Sequence, residues 1–328
     1  MTVLVTGATG FTGGHLARSL RRRGEQVRAL VRPGSKVDAL VEAGVEIHEG
    51  QLTSAADVMA ASRGCAVIYN VAAVYRTAGH PDKHYYDVNV GGLDNVLAAA
   101  RTHGCERVVH CSTGGVHGHI EQPPAAEDYR FKPDDVYQRS KLEAEMHAVA
   151  AIKGGQPVSI ARPGAIYGEG DLRFLKLFKS IQQRRFMMIG SGRTRLHMVH
   201  VDDMVDGLVL CGTRPEALGQ VFIVAGPAAP TLNEIAATTA GIVGVKVPSI
   251  HLPVWPFLAV GWACEMACIP FGIDPPIHRR RVGFFTHHRE FDISKARRLL
   301  GYAPRVDIQE GIERTIRWYI QQGYMAPI

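Results

Sequence analysis

The first half of the chain alternates short apolar runs with longer amphipathic stretches. Val3-Leu4-Val5, Val27 to Val31, Val45 to His48, Ala66 to Val71, Arg107 to Cys111 and Pro157 to Ala161 have the length and composition of strands. Between them, His15 to Leu20, Asn89 to Thr102 and Tyr137 to Ala151 follow a helical pattern. This rhythm predicts an α/β fold with a doubly wound parallel sheet, covered by helices on both faces. Ligands bind such sheets beyond the carboxyl ends of the strands, so residues there carry the chemistry.

After about residue 165 the pattern loosens, and Gly164, Gly168, Gly170, Gly190, Gly192, Pro215, Gly226 and Pro227 interrupt it. Val221 to Val224 reads as a returning strand, and Asp202-Asp203 as the start of a helix reaching about Cys211. These pieces predict a smaller, discontinuous C-terminal region that closes over the sheet end. Leu252 to Phe271 is markedly apolar, with Trp255, Phe257, Trp262 and Met266, but Pro253, Pro256, Glu265 and Pro270 break it. A membrane span needs about twenty apolar residues without such breaks. The segment reads either as a buried or pocket-lining helix, or as a greasy lid or membrane-surface patch helped by Arg279-Arg280-Arg281.

Composition narrows the class. At 328 residues, 46% hydrophobic and 21% charged, the chain has the make-up of a soluble globular protein with a large core. A net charge of +6 suits phosphorylated cofactors or anionic membranes. No basic stripe interleaves with aromatics, so no nucleic-acid partner is expected. Six cysteines are scattered, and with the first strand opening the sequence no secretory signal is expected. They are expected as free thiols in a reducing, cytoplasmic compartment. His103, Cys105, His110, Cys111, His117 and His119 are crowded in sequence, but they span a helix end, a strand and a loop. Their side chains therefore point to different faces, and no metal site is expected.

The segment Thr6-Gly7-Ala8-Thr9-Gly10-Phe11-Thr12-Gly13 joins the first strand to the first helix. Such a turn aims backbone N–H groups and the positive end of a helix at a phosphate. Gly7 permits the tight turn, Gly10 the close approach of a pyrophosphate, and Gly13 the packing of helix on strand.

Tyr137 and Lys141 stand one turn apart on one face of a predicted helix. A phenol of pKa about 10 is a poor base at neutral pH. A neighbouring ammonium, and a positively charged nicotinamide, favour the phenolate. The pair can then move a proton at a substrate oxygen while hydride moves at carbon. Cys111-Ser112-Thr113-Gly114-Gly115 ends the fifth strand, where a hydroxyl can orient that oxygen. Thr113 is the preferred residue and Ser112 the near alternative; either hydroxyl could instead cap a turn.

Taken together, these motifs resemble the extended short-chain dehydrogenase/reductases. That family includes nucleotide-sugar epimerases and dehydratases, 3β-hydroxysteroid dehydrogenases and dihydroflavonol reductases. The matching pieces are Thr6 to Gly13, Asn70-Val71-Ala72-Ala73, Asn89-Val90-Gly91-Gly92, Ser112-Thr113, Tyr137 with Lys141, Arg162 to Gly168, and His200-Val201-Asp202-Asp203. They occur in family order and cover most of the chain. The resemblance implies a Rossmann domain over residues 1–165, with 197–226 returning to it, and a substrate region over 166–196 and 227–328. It also implies a catalytic triad of Thr113, Tyr137 and Lys141, with Lys141 holding the nicotinamide ribose, Asn89 beneath the site and Pro163 behind the nicotinamide. The implied cofactor contacts are Gly7, Thr9, Gly10, Phe11, Thr12, Gly13, Gln51, Leu52, Val71, Ala72, Ala73 and Ala165, and the implied assembly is a homodimer.

Two departures from the family refine this expectation. NAD-using members usually end the second strand on an acid; here that place reads Leu30-Val31-Arg32, with Lys36 close behind. A guanidinium suits a 2′-phosphate, which favours NADP(H), with NAD(H) as the alternative. Gln51 replaces the frequent aspartate facing the adenine. Nucleotide-sugar members usually carry an asparagine where this chain has Ala165, and an arginine where it has Leu196, although Arg193 and Arg195 are close. The Arg162-to-Gly168 motif and the tail from Phe291 to Pro304 resemble the 3β-hydroxysteroid dehydrogenase branch instead. The expected function is an oxidoreductase interconverting a secondary alcohol and a ketone on a hydrophobic, steroid-like or polyketide-like small molecule. The alternatives are a nucleotide-sugar epimerase or dehydratase, and a dinucleotide-sensing regulator without turnover.

Overall fold

The expected apolar runs become strands of one sheet. The computed structural model describes residues 1–75, 80–268 and 279–328. Its strands are β1 (Thr2–Thr6), β2 (Gln26–Val31), β3 (Glu46–Glu49), β4 (Val67–Asn70), β5 (Arg107–Cys111), β6 (Val158–Pro163), β7 (Ala165–Tyr167), β8 (Met188–Ile189), β9 (Met198–His200), β10 (Val221–Val224) and β11 (His251–Leu252). The helices are α1 (Phe11–Arg22), α2 (Asp38–Glu42), α3 (Ala55–Ser62), α4 (Asp82–Tyr86), α5 (Gly92–His103), α6 (Val136–Lys153), α7 (Leu175–Gln182), α8 (Val201–Thr213), α9 (Leu232–Ile242), α10 (Val254–Cys268), α11 (Arg279–Thr286), α12 (Ser294–Leu300) and α13 (Ile308–Gln321).

The central sheet has seven parallel strands in the order β10-β6-β5-β4-β1-β2-β3. Strand order reverses between β1 and β4, which opens a crevice at their carboxyl ends. Alternation along β1 divides the core. Val3 and Val5 pack with Leu16 and Leu20 of α1 and with Met204 and Leu208 of α8. Leu4 packs on the other face with Val58 of α3, Leu93 of α5 and Ala144 and Ala148 of α6. Each fully buried Val or Leu contributes about 1.5–3 kcal/mol.

Two expectations shift. The helix expected from Asn89 begins at Gly92, because Asp87 to Gly91 form a wider π-helical turn. The Asn89 side chain in that turn accepts from the Val74 N–H and donates to the Val74 carbonyl and the Ser140 hydroxyl. The segment expected as a buried or pocket-lining helix is neither: α10 has only Gly261 buried. Pro270 and Phe271, the end of that segment, lie outside the described residues. Among the described residues, no helix is long and apolar enough to cross a membrane.

A third apolar cluster joins Phe178 of α7, Ile235 of α9, and Ile312 and Ile316 of α13. Polar clamps tie it to the sheet. The Asp203 carboxylate at the start of α8 accepts from the backbone N–H groups of Arg305 (2.9 Å) and Val306 (3.0 Å). Arg314 on α13 donates to Glu169 (2.8 Å) and to Asp202 (2.6 Å). His200 accepts from the Asp202 N–H through Nδ1, so Nε2 carries the proton and donates to Glu169 at 3.1 Å.

Burial pushes the Glu169 carboxyl up, but the bonds from His200, its own backbone and Arg314 outweigh burial and hold its pKa near about 2. A folded-state pKa below the ordinary 4.5 adds stability that is present at neutral pH and lost as pH falls from about 4.5 toward 2. Thermal melts from pH 6 to pH 2 should therefore show a steeper acid decline for the native chain than for Glu169→Gln. Parallel declines would remove Glu169 from the acid transition.

Candidate active site

The crevice at the switch point is a cleft of about 1730 Å³. Its floor is the β1–α1 turn. Gly7 sits at φ +73°, where an L side chain is strained, and a Cβ there would lie 2.7 Å from the Ala72 backbone. A Cβ on Gly13 would lie 2.2 Å from the Gly7 carbonyl oxygen, so α1 can seat against the turn only because that atom is missing. Gly10 caps α1 without a side-chain hydrogen bond, and no acid occupies the first turn. The first amides of α1 thus face the cleft with no competing anion, a cradle fitted to a pyrophosphate. Across the switch point, Thr6 Oγ donates to Asn70 Oδ1 (2.8 Å) and accepts from the Ala72 N–H (3.2 Å), which locks the ends of β1 and β4 together.

Most of the expected residues converge here. Gly7, Thr9, Gly10, Phe11, Thr12, Gly13, Arg32, Gln51, Leu52, Val71, Ala72, Ala73, Thr113, Tyr137, Lys141, Pro163 and Ala165 all line the cleft. Lys36 and Asn89 do not. Lys36 is exposed beyond the end of β2. Asn89 is buried and acts through others: it holds the loop after β4 at Val74, and it holds Ser140, whose hydroxyl donates to the Tyr137 carbonyl (2.9 Å). Arg32 is exposed at the rim, and its guanidinium makes no ion pair or hydrogen bond with the described residues.

Tyr137 and Lys141 enter the cleft from α6, whose start is fixed by the Asp135 carboxylate accepting from the Gln138 N–H. The Tyr137 ring meets Tyr75 edge-on at 4.9 Å. Lys141 is wholly buried, and its Nζ donates to the Cys111 carbonyl at the end of β5 (2.6 Å). Burial pulls the ammonium pKa below the ordinary lysine value. Two of its three donors remain unused by the described residues. Thr113 Oγ accepts from the Gly115 N–H (3.1 Å), and its own proton is left to donate into the cleft. Ser112, the alternative, instead donates to Glu145 (2.5 Å).

Glu145 was not expected from sequence. It lies one turn beyond Lys141 on the same face of α6 and is wholly buried. Arg162 at the end of β6 binds it through Nε at 2.9 and 3.1 Å and through Nη2. Arg162 also donates to the Glu127 carbonyl and to His117 Nε2 and lies over the Phe131 ring. The signal was present as a single carboxylate spaced four residues after Lys141, but its partner lies on another element. Arg173 was also missed: it lines the cleft over the Phe11 and Tyr75 rings and is paired with Asp171.

The apolar wall of the cleft is formed by Phe174, Leu177, Phe186, Leu196, Phe284 and Phe285, with Lys176 and Arg289 among them, and Phe291 lies against Gly114 beside Thr113. Ala165 and Leu196 line the cleft. Arg195 turns away to the Ala229 carbonyl and Glu290, and Arg193 does not line it. None of α10 lines it. The six cysteines are free thiols, and among the described residues no group of three His, Cys, Asp or Glu could hold a metal ion.

A seven-stranded parallel sheet with a glycine cradle at its switch point defines the Rossmann class. A profile of the NAD dependent epimerase/dehydratase family matches residues 3–225. A Synechocystis sp. protein provisionally named a dihydroflavonol 4-reductase is 30% identical over 331 residues, covering 98% of this chain and 95% of its own. A Mycobacterium tuberculosis 3β-hydroxysteroid dehydrogenase/Δ5→4-isomerase is 28% identical, covering 97% and 90%. The crystal structure of a protein designated gox2253 superposes with a TM-score of 0.86 at 29% identity, covering 99% of both chains. The chain belongs to the NAD-dependent epimerase/dehydratase family, the extended short-chain dehydrogenase/reductases, with the reductase and steroid dehydrogenase branch among its relatives.

The buried pair makes a sharp prediction. Arg162→Met strands the Glu145 charge and should cost about 3–5 kcal/mol in urea unfolding. A midpoint unchanged from the native chain would show that the pair holds nothing.

Proposed function

We propose that this enzyme interconverts a secondary alcohol and a ketone on a hydrophobic substrate, with NADP(H) as the preferred cofactor. The observation that carries the reading is the lining of the cleft, where aromatic and aliphatic side chains share the cavity with Tyr137 and Lys141 and where Ala165 and Leu196 stand in place of polar groups. Two named relatives act in the same sense on dihydroflavonol and steroid frameworks, by their names.

In this reading residues 1–165 and 197–226 hold the dinucleotide, and 166–196 and 227–328 hold the substrate. The glycine cradle takes the pyrophosphate, and Arg32 takes a 2′-phosphate through a planar fork of donors. Bound beside Pro163, the nicotinamide supplies the hydride donor or acceptor. Tyr137 passes the proton to or from the substrate oxygen. Lys141 favours the phenolate and offers its free donors to a ribose hydroxyl. Thr113 donates to the same substrate oxygen and fixes its direction. Asn89 is a positioning residue that acts through Ser140 and Val74. The assembly is read as a cytoplasmic homodimer.

Tyr137→Phe should lower turnover at least about a hundredfold while cofactor affinity, read by fluorescence titration, stays unchanged. Near-native rates would overturn the role of Tyr137. A purified protein that retains NAD+ and shows no net redox with any ketone would instead select the nucleotide-sugar epimerase alternative. Arg32→Asp should move the NADPH-over-NADH preference about tenfold or more toward NADH. A ratio that does not move would refute the 2′-phosphate contact.

A further inference from the structure

We propose that α10 docks this protein on the surface of an anionic lipid bilayer. Trp255 is 72% exposed, Trp262 54% and Met266 55%, and Leu258 and Val260 are exposed with them. At about 100° per residue, the exposed positions of α10, including Ala259, Ala263 and Ala267, cover an arc of about 200°. That arc holds no charged side chain, and its only side-chain hydrogen-bonding groups are the indole N–H donors of Trp255 and Trp262. The opposite side, around Gly261, rests on the protein.

The width of the arc decides the occupant. A helix that packs on another protein element uses an apolar stripe of about 100°. A second copy of this chain would leave the remainder in water, whereas the interfacial region of a bilayer covers the whole outward half. Tryptophan is the residue favoured at that depth. Fifteen residues make a helix of about 22 Å that lies in the interface and does not cross it. Charge agrees with anionic lipid. Glu265 is the one carboxylate in the sequence between Glu234 and Asp274, Lys246 precedes the helix, and the sequence of α11 opens on Arg279-Arg280-Arg281. α10 packs against α11, whose Phe284 and Phe285 line the cleft. The docked helix is therefore one element away from the cleft, whatever its substrate.

Flotation of the full-length protein with phosphatidylcholine vesicles, with and without phosphatidylglycerol, tests the surface. The protein should float with the vesicles, more strongly with the anionic lipid, and tryptophan emission in a Trp318→Phe background should shift to the blue. The double variant Trp255→Glu/Trp262→Glu, which leaves the cleft lining intact, should weaken vesicle binding about tenfold or more with its circular dichroism unchanged. Native protein that stays at the bottom with both vesicles overturns the proposal. So does equal flotation of the double variant. A native dimer that the double variant dissociates in sedimentation, with no vesicle binding, would assign the face to a second copy instead.

Discussion

Glu145 and Arg162 meet where β5, α6 and β6 converge, and neither charge could remain there alone. Removing an ion from water costs several kcal/mol, which a partner offsets only with good geometry and with every remaining donor and acceptor filled. Both conditions are largely met. Ser112 satisfies one carboxylate oxygen, and Arg162 directs both Nη1 donors to His117 and the Glu127 carbonyl. The consequence reaches the cleft. Glu145, Lys141 and Tyr137 lie four residues apart on one face of α6, so the pair that anchors the helix also fixes the depth and rotation of the two side chains ahead of it.

The second constraint is the missing atom at Gly13. With 2.2 Å between its would-be Cβ and the Gly7 carbonyl, helix α1 sits closer to β1 than any other residue would allow. The helix N-terminus then lies against the turn, whose Gly7 lies against the Ala72 backbone. Anion cradle and buried cation face the same cleft because two independent close approaches, one of backbone and one of charge, converge on the switch point of a single sheet.

These two constraints were unequally legible in the sequence. The glycines and strands were readable because period, turn chemistry and chain order are local properties. Asn89 was expected beneath the cleft from its motif alone; its task, tying Val74 to Ser140, depends on a contact across 51 residues. The Glu145–Arg162 pair was invisible for the same reason: Arg162 reads as the start of a motif and Glu145 as one of several helix carboxylates until β6 is laid against α6. The apolar segment at α10 failed differently. An apolar run states that something must cover it, and the sequence could not say that the fold would cover only the side around Gly261.

The apolar wall of the cleft shows how finely such a region is set. Leu196 bridges Arg289, and the preceding residue, Arg195, bridges Thr231 on the other side. Successive side chains in extended backbone point to opposite faces, so parity alone decides which of the two enters the cleft. Here Leu196 enters, and Arg195 turns out to the Ala229 carbonyl and Glu290. A one-residue slip in this segment would exchange an apolar wall for a guanidinium. That slip is opposed from three sides: the Leu196 N–H donates to the Pro230 carbonyl, the His197 N–H to the Arg289 carbonyl, and the buried His197 ring to the Gly226 carbonyl. The apolar character of this wall is therefore a property of register, held by two backbone bonds and one from the His197 ring.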